Sequence, residues 1–179
     1  MGQDDNLPHI TQKHLMPGTI LQVNISPGGL PKRPIAEGLI TTLGLEGDAH
    51  AHPEFHGGPR KAILLIASEI LEELQARGYP LFPGAMGENL TTGGIDIRGL
   101  RIGDRLRAGD AELEITAPRT PCRQLDVYGD TLGRETYDKF VKALNPETPR
   151  WGMSGFYASV VSPGRVRRGD IIAVVAKSA

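Results

Sequence analysis

The chain has 179 residues, with 20 basic and 21 acidic side chains and a formal net charge of −1. A chain of this length buries about 70% of its unfolded surface on folding, which is enough for one domain with a substantial core. Near-balanced charge gives no overall field that would draw the protein to nucleic acid or to an anionic membrane, and we expect neither as a partner.

The predicted strands are short, because 23 glycines and 14 prolines divide the chain into many segments. Residues 1–17 are polar and lack periodicity, so we expect a flexible N-terminal arm followed by one domain over 18–179. The clearest strand is 111–117, where apolar and polar residues alternate. Further strands are predicted from Thr19, Leu39, Ala62, Arg101, Gly155 and Asp170.

Two segments predict helices. Residues 68–78 place apolar side chains on one face, with Ser68 as a candidate N-cap and Gly78 at the C-terminal end. Residues 134–146 repeat apolar positions at helical spacing and stop at Pro146. Many strands with two helices predict a mainly β fold, a barrel-like domain with a few peripheral helices.

A histidine-rich segment, 44–62, is the first candidate site. Asp48, His50, His52 and His56 offer the nitrogen and oxygen ligands that zinc or iron takes, which would suit a metal-dependent hydrolase. Histidines in a loop rich in Gly and Pro are more often only solvated or hydrogen bonded than bound to a metal, and the sequence leaves both interpretations open.

The same segment also has the features of an anion site. His56 is followed by Gly57 and Gly58, whose backbone N–H groups can approach a ligand closely, and then by Arg60 and Lys61. Together these groups would suit a phosphate-like anion.

A polar pair stands in a turn at 84–104. Asn89 can donate to and accept from a polar ligand, whereas Glu88 is interpreted as a group that caps a turn.

Cys122 is the only cysteine of the chain and lies between Arg119 and Arg123. Thiols act as nucleophiles or metal ligands in the thiolate form, which neighbouring cations favour. Its place just after the clearest strand would present it at the rim of a barrel. The alternative is a buried cysteine that serves as a small apolar residue.

The number of cysteines and the hydropathy of the chain predict its cellular compartment. A lone cysteine excludes an internal disulfide, and the chain's own thiolates cannot hold an iron–sulfur cluster. No apolar stretch approaches the length of a membrane span, and residues 1–18 lack the features of a secretory signal. We therefore expect a cytoplasmic protein.

These segments, in this order, resemble the MOSC domain, named for the C-terminal domain of molybdenum cofactor sulfurases, and in particular its free-standing bacterial type. The resemblance is carried by residues 44–63, 87–125 and 152–174, above all by the GENLT turn and the PRTPC element. It implies a MOSC fold of the PK β-barrel type over 18–179. It also implies that Cys122 either carries sulfur as a persulfide or ligates molybdenum in enzymes that reduce N-hydroxylated compounds.

The resemblance assigns further roles. It implies that His56, Gly57, Gly58, Arg60, Lys61, Asn89, Arg119 and Arg123 hold molybdenum cofactor, either stably or in passing. Larger family members carry a pyridoxal-phosphate desulfurase domain or electron-transfer modules, which this chain does not show. We therefore expect an external cysteine desulfurase or electron-donor reductase as partner, and a small-molecule substrate. The competing hypotheses are a zinc or iron hydrolase and a non-catalytic cofactor-binding module.

Overall fold

Seven strands close into a barrel in this computed structural model, which describes residues 16–49 and 57–179. The barrel order is β1 (Gly18–Ile25), β11 (Ile171–Ala176), β7 (Arg105–Ala108), β8 (Ala111–Pro118), β9 (Phe156–Ser162), β5 (Ile63–Ala67) and β6 (Leu90–Gly93). The ring closes because β1 pairs with both β6 and β11, with Gly18 opposite Ile172. The mainly β, barrel-like fold that the sequence predicts is confirmed.

The remaining strands lie outside the ring. β2 (Arg33–Ile35) extends the sheet beyond β1, and β10 (Gly164–Arg167), β3 (Glu37–Thr41) and β4 (Gly44–Leu45) form a separate three-stranded sheet. The barrel interior holds the core, with Ile20, Leu65, Leu113 and Phe156 at 0% exposure.

One βαβ unit carries the longest helix. α1 (Ser68–Ala76) connects β5 to β6, which pair in parallel with Leu65 opposite Leu90. Every residue of β5 is buried, because one face of the strand turns to the barrel core and α1 contacts the strand from outside. The helix ends as predicted: Gly78 has φ +96° and its N–H donates to the Gln75 carbonyl at 2.9 Å.

Two predicted elements are each divided in two. The strand predicted from Leu39 is the hairpin β3–β4, since Thr41 Oγ1 donates to the Gly44 carbonyl at 2.9 Å and closes a turn. The helix predicted over 134–146 is α2 (Leu132–Thr136) followed by α3 (Lys139–Lys142). Asp138 separates them, because its carboxylate accepts hydrogen bonds from the first N–H groups of α3.

Other details of the sequence predictions are wrong, incomplete or outside the described residues. Ser68 is the first helical residue of α1 and not its N-cap, which is Ala67. β2, β6 and β10 were not predicted, because three or four residues are too few to establish a period. The predicted arm lies outside the described residues over 1–15. In the ranges that the structure covers, no helix is long and apolar enough to cross a membrane.

Gly155 offers a test of the close packing before β9. It has φ +83°, and a Cβ there would lie 2.6 Å from the Leu65 carbonyl oxygen. Gly155→Ala should lower the free energy of unfolding by about 3 kcal/mol, from left-handed backbone strain plus overlap. Gly169→Ala is the matched control, since Gly169 has φ +91° and nothing within 4 Å, and should cost only about 1 kcal/mol. Urea unfolding measures both, and equal losses would contradict the argument.

Candidate functional site

One cavity, here called the thiol cavity, brings the three predicted segments together. Its volume is about 60 Å³, and its lining includes Gly57 and Lys61 from the first segment, Asn89 from the second, and Arg119 and Cys122 from the third. Three segments that lie up to 65 residues apart in the sequence thus line the same cavity.

The thiol cavity lies on the outer face of the barrel. Leu64 on β5 and Tyr157 on β9 face each other across the strand pair, and both line the cavity. Their neighbours Leu65 and Phe156 are fully buried in the core. Because side chains alternate between the faces of a sheet, this register separates cavity from core.

Other predicted site residues lie elsewhere. Gly58, Arg60 and Arg123 are exposed and are not among the residues that line the cavity. His56, together with His50 and His52, lies outside the described residues. Within 16–49 and 57–179, no group of three His, Cys, Asp or Glu side chains could hold a metal ion.

Cys122 is half-buried and has a free thiol. It precedes the 3₁₀ turn Arg123–Tyr128, and its carbonyl oxygen accepts a hydrogen bond from the Leu125 N–H at 3.1 Å. The backbone at the thiol is therefore fixed, while the side chain reaches the cavity.

Arg119 is the most unusual residue of the cavity. It is 3% exposed, yet its Nε and Nη1 atoms have no hydrogen-bond partner. Its backbone is held firmly, since its N–H donates to the Gly155 carbonyl at 2.9 Å and its carbonyl accepts from Ser154 Oγ at 2.5 Å. Unpaired donors on a buried cation cost free energy, so the arrangement favours a polar or anionic ligand.

Tyr157 interacts with both the arginine and the thiol. Burial raises the pKa of its hydroxyl, the Arg119 guanidinium opposes that increase, and Cys122 adds to it. On the other side, Lys61 Nζ lies 5.5 Å from the centre of the Tyr157 ring. The sequence placed Tyr157 on a strand without indicating which face it takes.

Glu88 is fully buried behind the cavity wall. Its Oε1 accepts from the Gly84 N–H at 2.6 Å and from Thr91 Oγ1 at 2.9 Å, as expected for a group that caps a turn. Its Oε2 has no partner. Burial raises the pKa of Glu88, and the backbone and Thr91 hydrogen bonds and Arg119 act in the opposite direction.

A buried ion pair supports another part of the wall. Lys32 pairs with Asp48, and both side chains are about 5% exposed. Asp48 also accepts from the Ser26 N–H at 2.9 Å and from Asn89 Nδ2 at 2.8 Å. Burial lowers the pKa of Lys32, and Asp48 opposes that shift. Asp48 is thus engaged in structure, while the histidines with which it could form a metal site lie outside the described residues.

Asn89 belongs to the same network. Its Oδ1 accepts from the Leu64 N–H at 3.1 Å while its Nδ2 donates to Asp48. The amide therefore ties β5 to the ion pair. Sequence reasoning missed Lys32, because a lysine beside Arg33 in a proline-rich stretch matches no site pattern.

Removing Asp48 tests the buried pair. Asp48→Ala leaves Lys32 buried without its counter-charge and should lower the free energy of unfolding by about 3–5 kcal/mol. Glu37→Ala is the control, since it breaks the exposed Arg165–Glu37 pair and should cost at most about 1 kcal/mol. Comparable losses in urea unfolding would contradict the structural role.

Glu88 predicts a pH dependence of stability. Its folded-state pKa lies above the ordinary value of 4.5, so between these values the folded protein holds a proton that the unfolded chain has released. Stability from this group therefore falls as pH rises through that window. Glu88→Gln does not titrate, and its stability relative to the parent should improve as pH rises above about 4.5. Urea unfolding at a series of pH values measures the difference; a flat or reversed trend would refute it.

Comparisons with known proteins agree with the fold. The family model for the MOSC domain matches residues 52–173. Protein YiiM of Escherichia coli is 33% identical over 136 residues, which cover 72% of this chain and 54% of YiiM. The uncharacterized protein YflK of Bacillus subtilis is 34% identical over 146 residues, covering 79% of this chain and 60% of YflK. The chain thus spans little more than half the length of these relatives.

Solved structures are similar as well. The crystal structure of YiiM from Geobacillus stearothermophilus has a TM-score of 0.67 at 25% identity and covers 89% of this chain and 75% of its own. The crystal structure of Escherichia coli YiiM has a TM-score of 0.63 at 26% identity, and the match covers 92% of this chain and 72% of that YiiM chain. The family is associated with molybdenum cofactor binding. The match of the family model to most of the barrel, together with these relatives, means that the chain belongs to the MOSC domain family.

Proposed function

We propose that this chain binds molybdenum cofactor at the thiol cavity and that the Cys122 thiolate is a ligand of the molybdenum. The observation that carries the proposal is the pairing of Cys122 with Arg119 in one cavity, since Arg119 brings two buried nitrogens without a partner. Thiolate is a ligand that suits molybdenum, and an arginine suits the phosphate of the cofactor.

The chain's own residues divide the work. Arg119 and Lys61 would hold an anionic group, and the backbone at Gly57 allows close approach. Asn89 and Asp48 would fix the wall without meeting the ligand, since their polar atoms bond to one another. When bound, the cofactor would supply oxygen-atom transfer for the reduction of N-hydroxylated compounds, with electrons from an external reductase. The cytoplasm would keep the thiol reduced.

Cavity size favours a second candidate, a sulfur carrier. Sites that enclose a whole small molecule are commonly about 300–1,000 Å³, whereas the thiol cavity has about 60 Å³. Only one group of a cofactor would enter it, and the rest would extend from the mouth. In the carrier function, the Cys122 thiolate attacks the outer sulfur of a desulfurase persulfide. The new S–S bond forms on Cys122, and the donor cysteine leaves as its thiolate.

Elemental and pterin analysis tests the proposal. The parent chain and Cys122→Ser are purified from a host that makes molybdenum cofactor. We expect molybdenum and pterin in the parent and at least a tenfold lower content in the variant, because the variant lacks the soft sulfur ligand. Thermal unfolding of both proteins controls for folding.

Other outcomes distinguish the alternatives. Neither metal nor pterin in the parent would overturn stable cofactor binding, and sulfane sulfur on Cys122 in the same sample would then support the carrier. Zinc or iron that persists in Cys122→Ser but is lost in His50→Ala and His52→Ala would favour a metal-dependent hydrolase. Tight cofactor binding without turnover under any reductant would indicate a non-catalytic binding module.

A further inference from the structure

We propose that the thiol cavity accepts a small sulfur oxyanion of the thiosulfate class, with Arg119 holding its sulfonate group and Cys122 taking up its outer sulfur. The inference rests on the sulfur-carrier form of the proposed function and names a substrate class for it.

Charge in the cavity selects an anion. Among the described residues that line it, Lys32, Lys61 and Arg119 are cationic and none is a carboxylate. Lys32 is neutralised by its ion pair with Asp48, whereas Arg119 retains two nitrogens without a hydrogen-bond partner. The donors left for a ligand are therefore those of Arg119.

The carboxylate behind Arg119 does not cancel this charge. Glu88 is fully buried and its Oε2 makes no hydrogen bond, so this oxygen is not a hydrogen-bond partner of Arg119. Burial raises the pKa of Glu88, which favours its neutral form. Arg119 consequently keeps its capacity to bind a ligand's oxygen atoms, and charge-assisted hydrogen bonds of this kind are among the stronger ones in proteins.

Size selects a small anion. A cavity volume of about 60 Å³ accommodates a few water-sized groups, since one water needs at least about 10–15 Å³ of such volume. An ion with one sulfur bonded to a sulfonate group fits the volume and offers oxygens to Arg119 and a sulfur to Cys122.

The transfer step is balanced without any other reactant. The Cys122 thiolate attacks the outer sulfur of thiosulfate, and a new S–S bond forms on Cys122. The S–S bond of thiosulfate breaks, and its electron pair leaves on sulfite. Arg119 stabilises the negative charge that moves onto the departing sulfite. Cys122 is left as a persulfide, which an acceptor thiolate can discharge.

Sulfur loading tests the inference. The full chain is incubated with thiosulfate or with a low-molecular-weight persulfide, and the mass gain of one sulfur on Cys122 and the release of sulfite are followed in time. We expect Arg119→Gln to slow loading from thiosulfate about 10- to 100-fold, because a hydrogen bond to a charged group is lost. Loading from the persulfide should change little, because that donor has no sulfonate group.

Arg123→Gln is the matched control. It removes the same charge one residue from Cys122, but Arg123 is exposed and does not line the cavity. Its loading rate from thiosulfate should stay close to that of the parent. Calorimetry of sulfite binding to Cys122→Ser, with and without Arg119→Gln, measures the anion site apart from the chemistry and is expected to find binding only where Arg119 is intact.

The outcomes separate the two proposals. Loading by the persulfide but not by thiosulfate would overturn this inference and leave the sulfur carrier standing. Equal losses in Arg119→Gln and Arg123→Gln would also overturn it, since general charge would then explain the rate. Failure of both donors to load the parent would overturn the sulfur carrier itself.

Discussion

The candidate site depends on the pairing of β9 between β5 and β8. This pairing places Tyr157 opposite Leu64 on one side and brings the end of β8 beside Gly155 on the other. Arg119 follows β8 directly, so the same register sets the position of Arg119 relative to β9. A slip of one residue would exchange the core face with the cavity face, and the apolar core prevents that slip.

Two sets of buried charges lie near the cavity, and they differ in whether their polar atoms have hydrogen-bond partners. Lys32 and Asp48 satisfy each other, and Asn89 completes their hydrogen bonds, so this network can serve structure alone. Arg119 and Glu88 are also buried, but Arg119 retains two nitrogens and Glu88 one oxygen without a partner. Since folded proteins rarely leave such atoms unsatisfied, Arg119, which lines the cavity, is the residue whose hydrogen bonds a ligand would complete.

Sequence patterns predicted the site's segments better than its members. The period-2 alternation of 111–117 located β8, and the residues after it contain both Arg119 and Cys122. Nothing in the sequence distinguishes Arg119 from Arg123, since both flank the cysteine. The distinction arises from long-range pairing, because Arg119 bonds to Gly155 whereas Arg123 begins an exposed 3₁₀ turn. Lys32 and β6 were missed because neither carries a pattern of its own, and the role of each comes from partners distant in sequence.

Family membership alone does not choose between holding a cofactor and carrying sulfur, because one fold hosts different reactions through different sites. Both functions require a thiol beside a cation, and Cys122 with Arg119 satisfies that requirement. They differ in how much of the ligand must be enclosed. A cofactor holder needs a long, closed contact surface, whereas a carrier needs an accessible thiol and a small anion pocket. Among the described residues, the half-buried thiol and the cavity of about 60 Å³ are features that favour the second proposal. The space around Cys122 is thus the property on which the two proposals differ.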